Sequence, residues 1–213
     1  MKHILLLTAL LSSGVFASEF DETLVLAKQG DVDAQFNLGS MYSEGEGVPE
    51  NDAEAVKWYR KAADQGDAYA QYNLGFMYSN GEGVPENDAE AVKWYRKAAE
   101  QGYARAQSNL GIMYSKGTGV PENDAEAVKW LRKAVEQGNT NSQVHLGYMY
   151  AQGKGVPENS IKAYVWWSMA KTQGDESAKG NLDILKPQMT KQQIAQAQEL
   201  AAKCYESEYK DCD

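Results

Sequence analysis

Ala34, Leu38, Met41 and Tyr42 are spaced i, i+4, i+7 and i+8, the apolar stripe of one helix face, and predict a helix from about Asp31 to Ser43. Gly45 and Gly47 stop it, and Pro49 keeps it from resuming. Asn51 followed three residues later by Glu54 reads as the start of a second helix. Ala55, Val56, Tyr59, Ala62 and Ala63 form its buried side, and Gln65-Gly66 its end. The stretch from Asp31 to Gly66 is therefore helix, glycine-rich loop, helix and turn.

That pattern returns at a fixed step of 36 residues, marked by Leu38-Gly39, Leu74-Gly75, Leu110-Gly111 and Leu146-Gly147. The loops Gly45 to Pro49, Gly81 to Pro85, Gly117 to Pro121 and Gly153 to Pro157 keep the same phase, as do Trp58, Trp94, Trp130 and Trp166. Strict self-similarity at this period marks a stacked array in which each copy buries its apolar face on the next. The expected boundaries are 31–66, 67–102, 103–138 and 139–174. An array needs ends. Phe20 to Gln29 resembles the second half of a repeat and fits an N-terminal capping helix within 18–30. Residues 175–213 restart a first helix, with Leu182 in the Leu38 register but Asp183 where Gly39 would be, which signals termination. Pro187 breaks the chain, Thr190 with Gln193 makes a capping box, and Ile194, Ala197, Leu200 and Ala201 stripe the last helix. The sum is an all-α fold of eleven helices without strands.

Gly39 and its copies lie mid-helix, where glycine costs about 1 kcal/mol relative to alanine. Close approach of the paired helix is the expected compensation, with Trp58, Trp94 and Trp130 filling the wider end of each pair as core residues.

The chain opens with Lys2 and His3, a mostly apolar run from Ile4 to Phe16, and Val15-Phe16-Ala17, the form of an export signal cleaved after residue 17. An uncleaved anchor is the alternative. No later stretch is long and uncharged enough to span a bilayer. Export makes the periplasm the expected location, with secretion the other outcome. Without Lys2 the remaining chain carries 20 Lys and Arg against 30 Asp and Glu. That balance argues against nucleic acid, since Lys57, Arg60, Lys61 and their copies alternate with acids instead of forming a basic patch. The two cysteines, Cys204 and Cys212, pair in an oxidising compartment or stay as free thiols; a tail-closing disulfide is the preferred expectation. No metal site is expected from two cysteines and a single histidine beyond the signal, and no cofactor motif is present.

The pattern Ala-x-x-x-Leu-Gly-x-x-Tyr…Gly-x-Gly-Val-Pro…Ala-x-x-Trp-Tyr-x-Lys-Ala-Ala-x-Gln-Gly, from Ala34 to Gly66, resembles the Sel1-like repeat, a relative of the tetratricopeptide repeat. All four copies match. The resemblance implies a right-handed α-solenoid whose first helices line a concave inner surface, and a scaffolding or partner-binding role.

Comparing the copies separates what the fold requires from what it leaves free. Offsets 4, 5, 8, 9, 11 and 12 scarcely change, whereas offsets 3, 6 and 10 vary: Asp33, Phe36 and Ser40; Tyr69, Tyr72 and Phe76; Arg105, Ser108 and Ile112; Asn141, Val144 and Tyr148. Steps of three and four place each trio on one helix face. These residues either form a partner-binding strip or pack between adjacent repeats. Offset 7 holds Asn37, Asn73, Asn109 and His145. Resemblance to tetratricopeptide arrays implies a ladder that hydrogen-bonds an extended peptide, while bonding to a neighbouring helix is the equal alternative.

Enzymatic chemistry finds little support. Some cysteine-rich relatives have been labelled β-lactamases, but they carry a cysteine pair in every repeat and this chain carries none there. The Ser-x-x-Lys tetrads at Ser168 to Lys171 and Ser207 to Lys210 lack the Ser-Asp-Asn and Lys-Thr-Gly partners of a penicillin-recognising or peptidoglycan-acting site. The glycine loops follow helices and not strands, so they are turns and not phosphate cradles. The expectation is a non-enzymatic interaction protein that binds another protein or an envelope component in its groove. The family resemblance adds a specialised version, an immunity protein that neutralises a phospholipase-type toxin.

Overall fold

A computed structural model describes residues 19–210 and 212; the export signal expected over residues 1–17 lies outside them. The described residues form eleven α-helices: α1 (Glu19–Lys28), α2 (Val32–Glu44), α3 (Asp52–Asp64), α4 (Ala68–Asn80), α5 (Asp88–Glu100), α6 (Ala104–Lys116), α7 (Asp124–Val135), α8 (Thr140–Gln152), α9 (Ser160–Thr172), α10 (Glu176–Leu185) and α11 (Lys191–Glu206), with a 3-10 turn at Lys186–Gln188. No strand occurs among them. This is an all-α repeat fold of the α-solenoid class, with helix pairs α2/α3, α6/α7 and α8/α9. The chain divides into two compact units, one ending at Asn87 and holding α1 to α4, the other beginning at Asp88 and holding α5 to α11.

Local chemistry sets the helix ends. Asp31 and Asp67 accept the Ala34 and Ala70 amides at 2.8 and 2.6 Å, and Asn51, Asn123 and Asn159 do the same for the second helices, so orphan N–H groups are met by side-chain oxygens. Tyr103 occupies the third first-helix cap, where its side chain does not cap the helix. Thr190 and Gln193 form both halves of the capping box on α11. Gly45 ends α2 in the left-handed region at φ 71°, and the loop then turns back so that the Asn51 amide donates to the Tyr42 carbonyl at 2.7 Å.

Leu38 and Leu74 in the first unit, and Leu110, Leu146 and Leu182 in the second, are fully buried. Truncating such a leucine to alanine costs about 2–5 kcal/mol. Trp58, Trp94, Trp130 and Trp166 are also core residues. What the mid-helix glycines accommodate, however, is the residue after each tryptophan. A Cβ on Gly39 would lie 2.6 Å from the Tyr59 ring, one on Gly111 2.8 Å from Leu131, and one on Gly147 2.6 Å from the Trp167 indole nitrogen. The paired helix does approach closely, but through this side chain, which points straight at the glycine.

Buried glutamines at offset 5 join successive repeats. In the first unit Gln35 donates to the Ala27 carbonyl at 3.1 Å, and Gln65 donates both to the Gln35 side-chain oxygen at 2.8 Å and to the Gly30 carbonyl at 3.1 Å. In the second, Gln107 donates to the Ala99 carbonyl at 3.1 Å and accepts from Gln137 at 2.9 Å. The donors satisfy carbonyls in the last turn of the preceding helix, groups a helix cannot pair internally. The loops seal the same seams. The second loop glycine sits so close to the start of the preceding repeat's second helix that a Cβ on Gly83 would lie 2.3 Å from the Asp52 carbonyl oxygen; Gly119 and Gly155 stand in the same relation to Asp88 and Asp124.

At the C-terminal end, α10 and α11 both pack on α9. Leu182, Leu185, Met189, Ala197 and Ala201 are buried there, and Asp183 is exposed. A disulfide joins Cys204 to Cys212 and ties the tail back to α11.

Candidate partner-binding face

In the first unit the variable positions bring α2 and α4 together over α3. Phe36 lies with its ring centroid 5.8 Å from Tyr59 and 6.0 Å from Tyr69, so one ring bridges the floor supplied by α3 and the wall supplied by α4. The Tyr59 hydroxyl bonds Ser40 at 3.1 Å and also engages Asn73 and Ser43. Burial pushes the Tyr59 phenol above its ordinary value; the hydrogen bonds to Ser40 and Asn73 act the other way, and the Glu44 charge nearby adds to the rise. Tyr69 and Phe76 retain 57% and 41% of their surface in solvent. Asp33 and Asn37 are exposed, and Tyr72 and Asn73 are half-buried.

In the second unit Arg105 and Asn141 are exposed, Tyr148 keeps 45% of its surface, and Ile112, Asn109, Val144 and His145 are half-buried. Burial, with the Lys116 charge adding to it, holds His145 below its ordinary value. Ser108 is the exception to the strip: at 2% exposure it does not face solvent. Phe36, Tyr72 and Val144 at the same offset reach the surface because they are larger, whereas a hydroxymethyl group ends below it. Asn73 takes the neighbouring-helix alternative through its contact with Tyr59.

Several fold-holding arginines escaped the sequence reading because their partners lie 18 residues away on the next helix, across a turn. Arg60 donates to the Tyr78 hydroxyl in the first unit, and Arg96 and Arg132 donate to Tyr114 and Tyr150 in the second. Lys61, Lys97 and Lys133 sit 3.8, 3.8 and 4.3 Å from the centroids of Trp58, Trp94 and Trp130, a cation–π arrangement that spends repeated basic residues on packing.

The tetrad serine Ser168 lines a largely apolar groove of about 400 Å³ between α9 and α11, with Tyr164, Met169, Thr172, Gln198 and Tyr205. Ser207 donates to the Cys204 carbonyl at 3.1 Å, a helix-terminal role. Among the described residues no group of His, Cys, Asp or Glu is arranged to hold a metal ion, and no helix is long and apolar enough to cross a membrane.

A family model described as the Sel1 repeat matches residues 32–67, 68–103, 104–139 and 140–175. Among solved structures, the chain is similar to a protective antigen present in uropathogenic Escherichia coli that displays an SLR fold, at 41% identity and a TM-score of 0.73, over 76% of this chain and 35% of that one. It is also similar to a Sel1 repeat protein from Oxalobacter formigenes, at 42% identity and a TM-score of 0.68, over 72% of this chain and 63% of that one. The chain thus spans about a third and under two thirds of the lengths of these two structures. No curated protein matches it.

Proposed function

Because this chain belongs to the Sel1 repeat family, a scaffold that generally mediates protein–protein interaction and is typically non-catalytic, we propose that it is a non-enzymatic binding protein of the bacterial envelope. It engages another protein or envelope component through the variable positions of its first helices. The observation that carries this reading is the exposure of Tyr69, Phe76 and Tyr148 at positions the repeat does not dictate. Large aromatic side chains are expensive to leave in water and are the residue types that dominate binding energy at interfaces. Ser108 is outside the proposed surface, and Asn73 supports it from below through Tyr59. Removal of residues 1–17 on export, with 18–30 and 175–213 capping the array, completes the reading; the Cys204–Cys212 disulfide is compatible with an oxidising compartment.

The experiment is affinity capture from envelope extracts with wild-type protein and with Tyr69→Ala, Phe76→Ala and Tyr148→Ala combined. The triple variant should keep its helical circular dichroism spectrum and melting temperature while losing the captured partner. Unchanged capture, or loss of the fold, would overturn the assignment.

A further inference from the structure

Charge is divided unevenly between the two compact units. Residues 19–87 hold 14 Asp and Glu against 4 Lys and Arg, a net charge of −10, whereas residues 88–213 hold 16 of each. Three of the first unit's four cations are engaged at home: Lys57 pairs with Glu54, Lys61 lies over Trp58, and Arg60 donates to Tyr78. The α2/α4 face carries the same sign. Exposed Asp33 stands at one end of α2, beside Phe36 in the helical sequence, and exposed Glu44 stands at the other, where its charge reaches Tyr59. The third repeat has Arg105 and Lys116 at these two offsets. One aromatic face is therefore flanked by anions, and its sequence counterpart by cations.

We propose that the α2/α4 face docks a cationic segment of another protein that carries apolar side chains between its basic residues. This rests on the binding reading above and names the chemistry of its partner. A surplus of ten negative charges on one small unit attracts basic segments at long range and repels acidic ones and phosphate backbones. At close range Phe36, Tyr69 and Phe76 offer apolar surface and ring faces for Lys or Arg, while Asp33 and Glu44 fix the ends. Those two acids are eleven helical positions apart, a rise of roughly 16 Å. An extended chain covers that distance in about five residues at about 3.3 Å each. The fitting segment has two basic residues four or five positions apart, with an apolar residue between them.

The test is fluorescence anisotropy of the purified protein with three labelled 12-residue peptides, of alternating Lys and Leu, Glu and Leu, and Lys and Ser. The Lys–Leu peptide should bind best, and increasingly weakly as salt rises. Asp33→Asn with Glu44→Gln should weaken it at least tenfold, and Tyr69→Ala with Phe76→Ala likewise, whereas Lys179→Ala with Lys203→Ala, exposed cations on α10 and α11, should leave it unchanged. The acid substitutions are on exposed positions and keep the test independent of folding. Equal binding of the Glu–Leu peptide, or indifference to the acid substitutions, overturns the proposal. So does light scattering that shows a dimer dispersed by Asp33→Asn, which would assign the face to a second copy of this chain. Envelope capture that needs Tyr69 and Phe76 but ignores Asp33 and Glu44 overturns the cationic partner and leaves the binding face standing; capture that needs neither overturns both.

Discussion

Gly147→Ala and Gly180→Ala are the same chemical change inside two helices of one compact unit, and they should shift stability in opposite directions. Alanine is favoured over glycine in a helix interior by about 1 kcal/mol, so both variants begin with that gain. At Gly180 nothing lies within 4 Å of the new methyl group, and the gain is kept. At Gly147 the methyl carbon would lie 2.6 Å from the Trp167 indole nitrogen and 2.7 Å from its neighbouring ring carbon, so the ring must move. That ring is buried, and its N–H donates to the Val144 carbonyl at 3.0 Å. Overpacking costs about 1–3 kcal/mol, and displacing the indole hydrogen bond adds about 1 kcal/mol. Against the propensity gain, the net loss is about 1–3 kcal/mol. At 2–4 °C per kcal/mol for a chain of this size, Gly147→Ala should melt roughly 2–12 °C lower and Gly180→Ala about 2–4 °C higher. Thermal and urea denaturation followed by circular dichroism measure both. A Gly147→Ala variant as stable as Gly180→Ala would refute the claim that the glycine exists to receive Trp167.

Gln107→Leu removes one donor to the Ala99 carbonyl, which keeps the Gly102 amide, and one acceptor for Gln137, which keeps the Gly102 carbonyl, and should cost about 1–3 kcal/mol in urea titrations, the net worth of two hydrogen bonds. Replacing both Cys204 and Cys212 with serine should cost about 2–3 kcal/mol in the chain-entropy model, and hydrogen exchange should show the loss as fraying at the end of α11. His145 is held below its ordinary value of 6.5 by burial, so the unfolded chain takes up its proton first. Its contribution is therefore complete above pH 6.5 and falls away as pH drops below that value; His145→Gln should lose less melting temperature than wild type between pH 7.5 and 5.5.

Much of the fold was legible in the sequence because the repeated signals are local. The Leu38 stripe, the left-handed Gly45 cap and the Thr190–Gln193 box each act within a few residues, and all appear as helix cores and ends. What stayed hidden depends on which side chain crosses a seam. The pairing of Tyr59 with Gly39 spans 20 residues, and that of Arg60 with Tyr78 spans 18, distances that periodicity along one helix does not encode. The invariance of Gln35 and its copies was visible, but its cause lies in carbonyls of the preceding helix. At the candidate face, variability among the repeats marked positions without marking depth, and so a short Ser108 shared an offset with the half-exposed Phe36.

The contact between Gly83 and the Asp52 carbonyl, reproduced at Gly119 and Gly155, bears on how such a gene can change its length. Each of these joints is formed by the loop of one copy meeting the start of the second helix of the copy before it, through the same aspartate carbonyl. Unequal recombination that adds or drops a complete 36-residue segment recreates a joint already known to close. A single codon lost between Gly81 and Pro85 would throw two surfaces out of alignment at once. Growth by whole modules is thus the inexpensive mutational route, and new partners can be sampled by varying how many modules there are as well as what they display.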